Sequence, residues 1–306
     1  MLSVRDKKLE NDTMQDITAI ILTFNEELHI ERCIKSVQRV CKDVLIVDSF
    51  STDATCAIAE RLGAKVVQHK FENQARQFNW AIDNVEIDTE WIWRVDADEI
   101  IEDGLAAIAE KELQGLPENV NGVYVNKKIV FMGRPLLHGG WYPAQQIKIV
   151  RKGFGRSEDK MMDEHLIVTE GDTVSWDGDQ TDWNLKPLDW WWKKHEGYAK
   201  REALMQVSSF KSQVSSSKSE SSEREGKLFG NNAEFKRYMK NLYGHCPRYL
   251  RAIVYFISRY VFMGGFLDGY AGWYWHTRQG LMYRWMVDRE IGMLLSHTDL
   301  TDNTDK

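Results

Sequence analysis

The chain has 306 residues, of which 43% are hydrophobic and 28% charged, and its 40 Lys and Arg against 46 Asp and Glu give a net charge of -6. This is enough for one large domain or two modest ones with buried cores, and it excludes collagen-like, disordered and disulfide-stapled chains. An acidic balance also argues against wrapping nucleic acid, and Cys33, Cys41, Cys56 and Cys246 have neither C-x-x-C nor zinc-finger spacing, which fits reduced thiols in a cytosolic compartment.

Residues 1–16 are charged, lack the apolar core of a signal peptide and read as a flexible tail. Short apolar runs then alternate with amphipathic stretches. Strands are expected at 17–22 (ITAIIL), 44–48 (VLIVD), 64–67 and 91–95 (WIWRV), with helices at 26–37, 53–62 and 73–82 between them. That order predicts an α/β fold with a largely parallel sheet. Ligands of such sheets bind beyond the carboxyl ends of the strands, where Thr23, Asn25, Glu26, Asp48, Ser51, Asp53, Asp96 and Asp98 stand. A helix at 102–113, β-rich runs at 122–132 and 145–151 and a polar segment at 157–165 complete a mixed sheet.

Tryptophan and charge become dense near Trp176, and 188–206 reads as a helix. The serine-rich stretch 208–223 reads as a linker or loop. Residues 224–289 carry eleven Lys or Arg against four Asp or Glu, interleaved with aromatic residues. The apolar stretch 253–275 is interrupted by Arg259, Asp268 and four glycines, so it is not read as a plain transmembrane span. The expected organisation is therefore a tail at 1–16, a catalytic domain at 17–175, a helical extension at 176–207, a linker at 208–223 and a basic aromatic helical region at 224–306. The last of these suits the headgroup layer of a membrane better than nucleic acid.

The strongest chemical signal is Asp96-Ala97-Asp98 at the end of an apolar strand. Two carboxylates one residue apart on an extended segment can share a hard divalent cation, Mg2+ or Mn2+, with substrate phosphates. An isolated pair of this kind is more often a solvated acidic turn, and the position after a strand is what favours the metal reading. Asp48 to Asp53 forms a second acidic tip, suited to a ribose or base edge, though Ser51 or Asp53 equally serves as a helix N-cap. Thr23 to Glu26 is open in the same way, as a capped helix start or a polar floor for a base. There is no G-x-G-x-x-G after the first strand and no phosphate-binding G-x-x-x-x-G-K-[ST], so a diphosphate needs a metal and a basic side chain; Asp98 and Arg76 are the candidates, with a solvated Arg76 as the plainer reading. His165 and His195 read as structural, and Trp190, Trp191 and Trp192 cannot all face one side of a helix.

In order along the chain, TAIILTFNEE, VLIVDSFSTDAT, QARQFNWA and WRVDADE resemble the signature of family 2 glycosyltransferases with the GT-A fold. MMDEH and WNLKPLDWWWKKHEGYAKREA resemble a bacterial subgroup acting on lipopolysaccharide core or exopolysaccharide glycans. The resemblance implies a GT-A mixed sheet flanked by helices, with a nucleoside-diphosphate sugar across the strand tips. Thr23, Asn25, Glu26, Asp48 and Asp53 would lie near the nucleoside, with Arg76 at the same pocket. Asp96 would approach the ribose or sugar and Asp98 the divalent metal. It further implies inversion at the anomeric carbon, with Glu164 as the base and Asp163 as its competitor. The acceptor would be a lipid-linked or surface glycan, which places the enzyme in the cytoplasm, peripheral on the inner face of the cytoplasmic membrane. A sugar nucleotidyltransferase and a noncatalytic sugar-nucleotide-binding module are the rival functions.

Overall fold

The computed structural model describes residues 14–159, 164–216 and 247–302, and Asp163, Cys246 and residues 217–223 of the serine-rich stretch lie outside these. The chain divides into two units, Met1–Lys186 and Pro187–Lys306.

The first unit is built on β1 (Gln15–Thr23), β2 (Cys41–Asp48), β3 (Lys65–Gln68) and β4 (Trp91–Asp96). These pair in parallel in the order β3-β2-β1-β4. They are joined by α1 (Ile30–Val37), α2 (Thr55–Arg61) and α3 (Gln74–Asn84). β1 and β4 are apolar almost without interruption because both faces are covered, as a parallel sheet with helices on each side requires. On one face Ile17, Ile21, Trp93 and Val95 pack with Ile30 and Ile34 of α1. On the other, Ile20, Leu45 and Ile92 pack with Phe78 of α3.

Next come β5 (Glu99–Ile101), α4 (Asp103–Glu112), β6 (Val120–Phe131), the two-residue β7 (Arg134–Pro135), β8 (Ala144–Arg151), the hairpin strands β9 (Gly155–Ser157) and β10 (Leu166–Val168), and β11 (Asp172–Asp182). β8 runs antiparallel to β4 and extends the sheet through β6 and β11 to β5. This mixed half gives the α/β sheet expected from the sequence.

β11 has no counterpart in the sequence reading, which placed a boundary at 175/176, inside this strand. Its sequence, DTVSWDGDQTD, shows little apolar alternation because two inward positions are filled by Gly178 and Gln180. Gly178 is fixed by close approach: a Cβ there would lie 2.8 Å from the Leu105 Cα of α4. Gly178→Ala is expected to cost about 1–3 kcal/mol through the shift it forces on α4, measurable as a lower midpoint in urea.

The second unit contains α5 (Leu188–Ser216), α6 (Leu250–Ile257), α7 (Gly269–Trp275) and α8 (Tyr283–Asp302). α5 continues past 207 into the stretch read as a linker. Ala199 and Ala203 of α5 pack against Tyr283, Val287 and Ile291 of α8. Trp191 packs on Trp275 with ring centroids 5.6 Å apart, and Trp192 lies under the Arg278 guanidinium, so two of the three consecutive tryptophans serve this unit's own packing. His195 donates from Nδ1 to the Trp191 carbonyl at 2.7 Å, a structural role.

Candidate active site

The carboxyl ends of β1 and β2 are tied together by side chains. Asp48 is fully buried and accepts from Thr23 Oγ1 (3.0 Å), the Ser51 amide (2.8 Å), the Ser51 hydroxyl and Gln68 Nε2 (3.3 Å). Burial works against its charge, but the bonds from Ser51, Thr23 and Cys56 outweigh it and hold the carboxyl below its ordinary range. Asn25, at φ 54, donates its backbone amide to the Ser51 hydroxyl at 2.8 Å and accepts the Thr52 amide on Oδ1 at 2.9 Å. Asp53 accepts from the Thr55 and Glu27 amides, so it fastens the start of α2 to the β1 tip. Asp48 and Asp53 thus shape the floor of this cleft.

Glu26 joins the same floor to the far end of the unit. Its Oε2 lies 2.6 Å from His29 Nδ1 and its Oε1 2.7 Å from Lys186 Nζ. His29 Nε2 accepts the Leu185 amide at 2.8 Å, which leaves the ring proton on Nδ1 to be donated to Glu26. Burial opposes the Glu26 charge, yet His29 and Lys186 keep its pKa below the usual value.

At the end of β4 the chain turns sharply into β5, and the turn stands on a buried ionic network. Glu99, 1% exposed, receives Lys148 Nζ on both oxygens at 2.9 Å and the Asp96 amide on Oε2 at 2.9 Å. Gln180 of β11 donates to the same carboxylate and accepts from Trp93 Nε1 at 2.9 Å. Lys148 Nζ also lies 4.0 Å from Asp96 Oδ2. Asp98 accepts from Asn184 Nδ2 at 2.8 Å, its carbonyl takes the Trp183 amide at 3.0 Å, and Arg32 caps the same carbonyl while stacking over Trp183. Burial first, then the charges of Asp182 and Asp96, push the Asp98 carboxyl up to about 6 against the Asn184 hydrogen bond. Lys127, 3.0 Å from Asp182, has its pKa raised by Asp182, Glu99 and Asp96 despite its burial.

This donor set fits a divalent cation in one specific manner. Asp98 is held where its own negative charge is unfavourable, and added positive charge would relieve it. Among the described residues no three His, Cys, Asp or Glu side chains are grouped to hold a metal. The residues therefore suit a Mg2+ or Mn2+ that takes most of its ligands from a bound phosphate and water, as these hard ions do.

Glu164 lies between β9 and β10, half-buried, two residues before Leu166. Three contacts tie the root of that hairpin to the sheet side: Asn79 exchanges hydrogen bonds with the Ser157 backbone, Arg94 of β4 donates to Ser157 Oγ at 2.8 Å, and Arg76 binds Asp159 at 3.1 Å. Arg94 and Asp96 share one face of β4, being two residues apart. Arg76 does not join the Asp98 group. It is half-exposed, and its guanidinium is engaged by Asp159 and Glu72.

Sequence reasoning thus reached Thr23, Asn25, Glu26, Asp48, Asp53, Asp96 and Asp98, which the strand ends bring together, and missed Lys127, Lys148, Glu99, Asp182 and Asn184. A lysine flanked by isoleucines in the QIKIV of a core strand was a usable signal for Lys148. Asp182 and Asn184 had none, since Trp176, the last apolar residue of β11, lies six positions before Asp182.

Residues 18–153 match the model of glycosyl transferase family 2. An uncharacterized glycosyltransferase of Rickettsia felis is 44% identical over 86 residues, 28% of this chain and 30% of that protein. The lipopolysaccharide core biosynthesis glycosyltransferase LpsC of Rhizobium meliloti is 26% identical over 160 residues, covering 51% of this chain and 58% of that one. The chain therefore spans less than two thirds of either of these relatives. Among solved structures, the mannosyltransferase PcManGT of Pyrobaculum calidifontis, in complex with GDP-Man and Mn2+, aligns over 92% of this chain and 88% of that one at 14% identity and a TM-score of 0.48. With residues 18–153 matched by the family model and its strand ends closed by an acidic turn, the parallel β–α half of this chain is similar to the family 2 glycosyltransferases, and its mixed sheet flanked by helices is GT-A-like.

Proposed function

We propose that the protein transfers a sugar from a nucleoside-diphosphate sugar to a hydroxyl of a lipid-linked or surface-glycan acceptor, with inversion at the anomeric carbon. The observation that carries this reading is the acidic turn at Asp96 and Asp98, crowded by Asp182 and held on the buried Glu99–Lys148 pair. The nucleoside lies against the floor made by Thr23, Asn25, Glu26, Asp48 and Asp53, with Asp96 toward the ribose or sugar. A divalent cation bound by Asp98 and Asp96 supplies the positive charge that a departing diphosphate needs.

Glu164 takes the acceptor's hydroxyl proton while that oxygen bonds to the anomeric carbon and the bond from that carbon to the diphosphate breaks. In this reading Glu164 acts from the face of the sugar opposite the leaving group, as inversion demands. Asp163 is the other carboxylate of this segment. Arg76 holds the root of the hairpin through Asp159.

The test is a panel of nucleotide sugars screened for thermal stabilisation with and without Mn2+, followed by product analysis. Release of nucleoside diphosphate supports the proposal. Release of pyrophosphate indicates a nucleotidyltransferase instead, and binding without turnover indicates a noncatalytic module. Glu164→Gln is expected to lower transfer by about 10²–10⁴-fold while leaving donor affinity within a factor of two, with Asp163→Asn as the parallel variant. If Asp163→Asn shows the larger loss in single-turnover measurements, the base is Asp163.

A further inference from the structure

The second unit carries a bent pair of helical limbs, Leu250–Phe262 and Gly265–Ser296, which meet at 72°. Among the described residues no single helix is long and apolar enough to cross a membrane, yet this pair together reaches the hydropathy of a membrane segment. The apolar side chains at the bend are turned outward: Phe262 is 82% exposed, Leu267 60% and Tyr270 64%. Met263 and Phe266 are exposed beside them.

The bend is a built feature. Gly264 and Gly269 adopt φ of +73 and +66, which side chains rarely allow. A Cβ on Gly272 would lie 2.4 Å from the Gly265 carbonyl oxygen, and one on Gly265 would lie 2.3 Å from His276 Nε2. The start of the second limb therefore packs back on its own helix with backbone in close approach, which leaves no room inside for the large side chains there. At the other end the limbs are pinned by charge. Asp288 of α8, fully buried, accepts from the Tyr249 amide at 2.8 Å and from the Arg251 guanidinium. Tyr283 and Arg284 both bind Glu202.

We propose that this bend is a wedge that enters one leaflet of an anionic lipid bilayer. Three observations select lipid as the occupant. From Tyr249 to Val287 the sequence has four arginines and one acidic residue, the buried Asp268; Arg251 and Arg284 are taken by Asp288 and Glu202, so the positive charge beside the apolar surface is carried by Arg259 and Arg278. That matches a hydrocarbon layer beneath anionic headgroups. Trp273 stands exposed beside Tyr270 at the apolar tip, their ring centroids 5.7 Å apart, an amphipathic ring of the kind found at headgroup depth. The first limb is about 20 Å long at 1.5 Å per residue, short of the roughly 30 Å hydrocarbon core, which suits entry into one leaflet and not a crossing.

The test uses the full chain and vesicles of phosphatidylcholine alone or with 30% phosphatidylglycerol, about the content needed for a marked negative surface. The protein is expected to float with the anionic vesicles, with quenching of its tryptophan fluorescence by lipids brominated on the acyl chain. The double variant Phe262→Glu, Leu267→Glu should lose at least tenfold in partitioning, and it should keep the wild-type far-ultraviolet spectrum, because both side chains are outside the packed core. Arg278→Gln and Arg259→Gln should weaken binding to the anionic vesicles more than to neutral ones. The proposal is overturned if the wild-type chain stays with the soluble fraction in every mixture, or if the double glutamate variant partitions like wild type. It is equally overturned if light scattering shows a dimer that the glutamates dissociate and vesicles do not bind, since the face would then belong to a second copy of the chain.

Discussion

Asp98→Asn is expected to lower Mn2+-dependent release of nucleoside diphosphate by about a hundredfold to a thousandfold while raising the melting temperature of the metal-free protein. The two effects have one origin. Asp98 is enclosed and lies close to the charges of Asp182 and Asp96, which push its pKa up to about 6, so its ionised form at neutral pH is unfavourable in the folded chain. Asparagine keeps the shape and can still pair with Asn184 but removes the repulsion. A residue kept for stability would show the opposite thermal response. If Asp98→Asn turns over its donor as fast as wild type, the assignment of this turn to the leaving group is wrong.

Lys148→Met carries the largest expected loss of stability. Lys148 and Glu99 form a buried pair with two 2.9 Å contacts, and removing one partner leaves the other charge stranded in the core. Breaking such a pair costs about 3–5 kcal/mol. For a unit of this size that is a fall of roughly 6–20 °C in Tm. Glu99→Gln in the same chain should recover much of the loss, because the stranded charge is then gone. A double variant no more stable than Lys148→Met would show that the lysine acts through packing and not through its charge.

The parallel half of the sheet was legible because each strand is a near-continuous apolar run ending in polar residues, and the same endings pointed to the polar side chains that gather at the strand tips. The antiparallel half was legible only in part. β6 and β8 declare themselves through valine and isoleucine, while β11 places a glycine and a glutamine at inward positions and so hides its strand character. What was lost with it was half of the electrostatics around Asp98, because Asp182 and Asn184 arrive from the end of that strand. Asp53 shows the reverse case: both of its readings were open from sequence, and the geometry uses it to fasten α2 to β1. Arg76 was read toward the diphosphate from its place in a motif, yet two carboxylates near in space, one of them Asp159 from far along the chain, set its direction.

The last strand of the first unit also sets when a newly made chain becomes competent. Asp182, Trp183, Asn184, Leu185 and Lys186 together touch Asp98, Arg32, His29 and Glu26, which belong to the opening third of the chain. On the ribosome, the β1–β4 half emerges well before these partners do. Until they arrive, Glu26 and Asp98 lack the groups that orient them, so the nascent protein passes through a stage in which the tips of β1 and β2 are joined but the turn after β4 is not yet held.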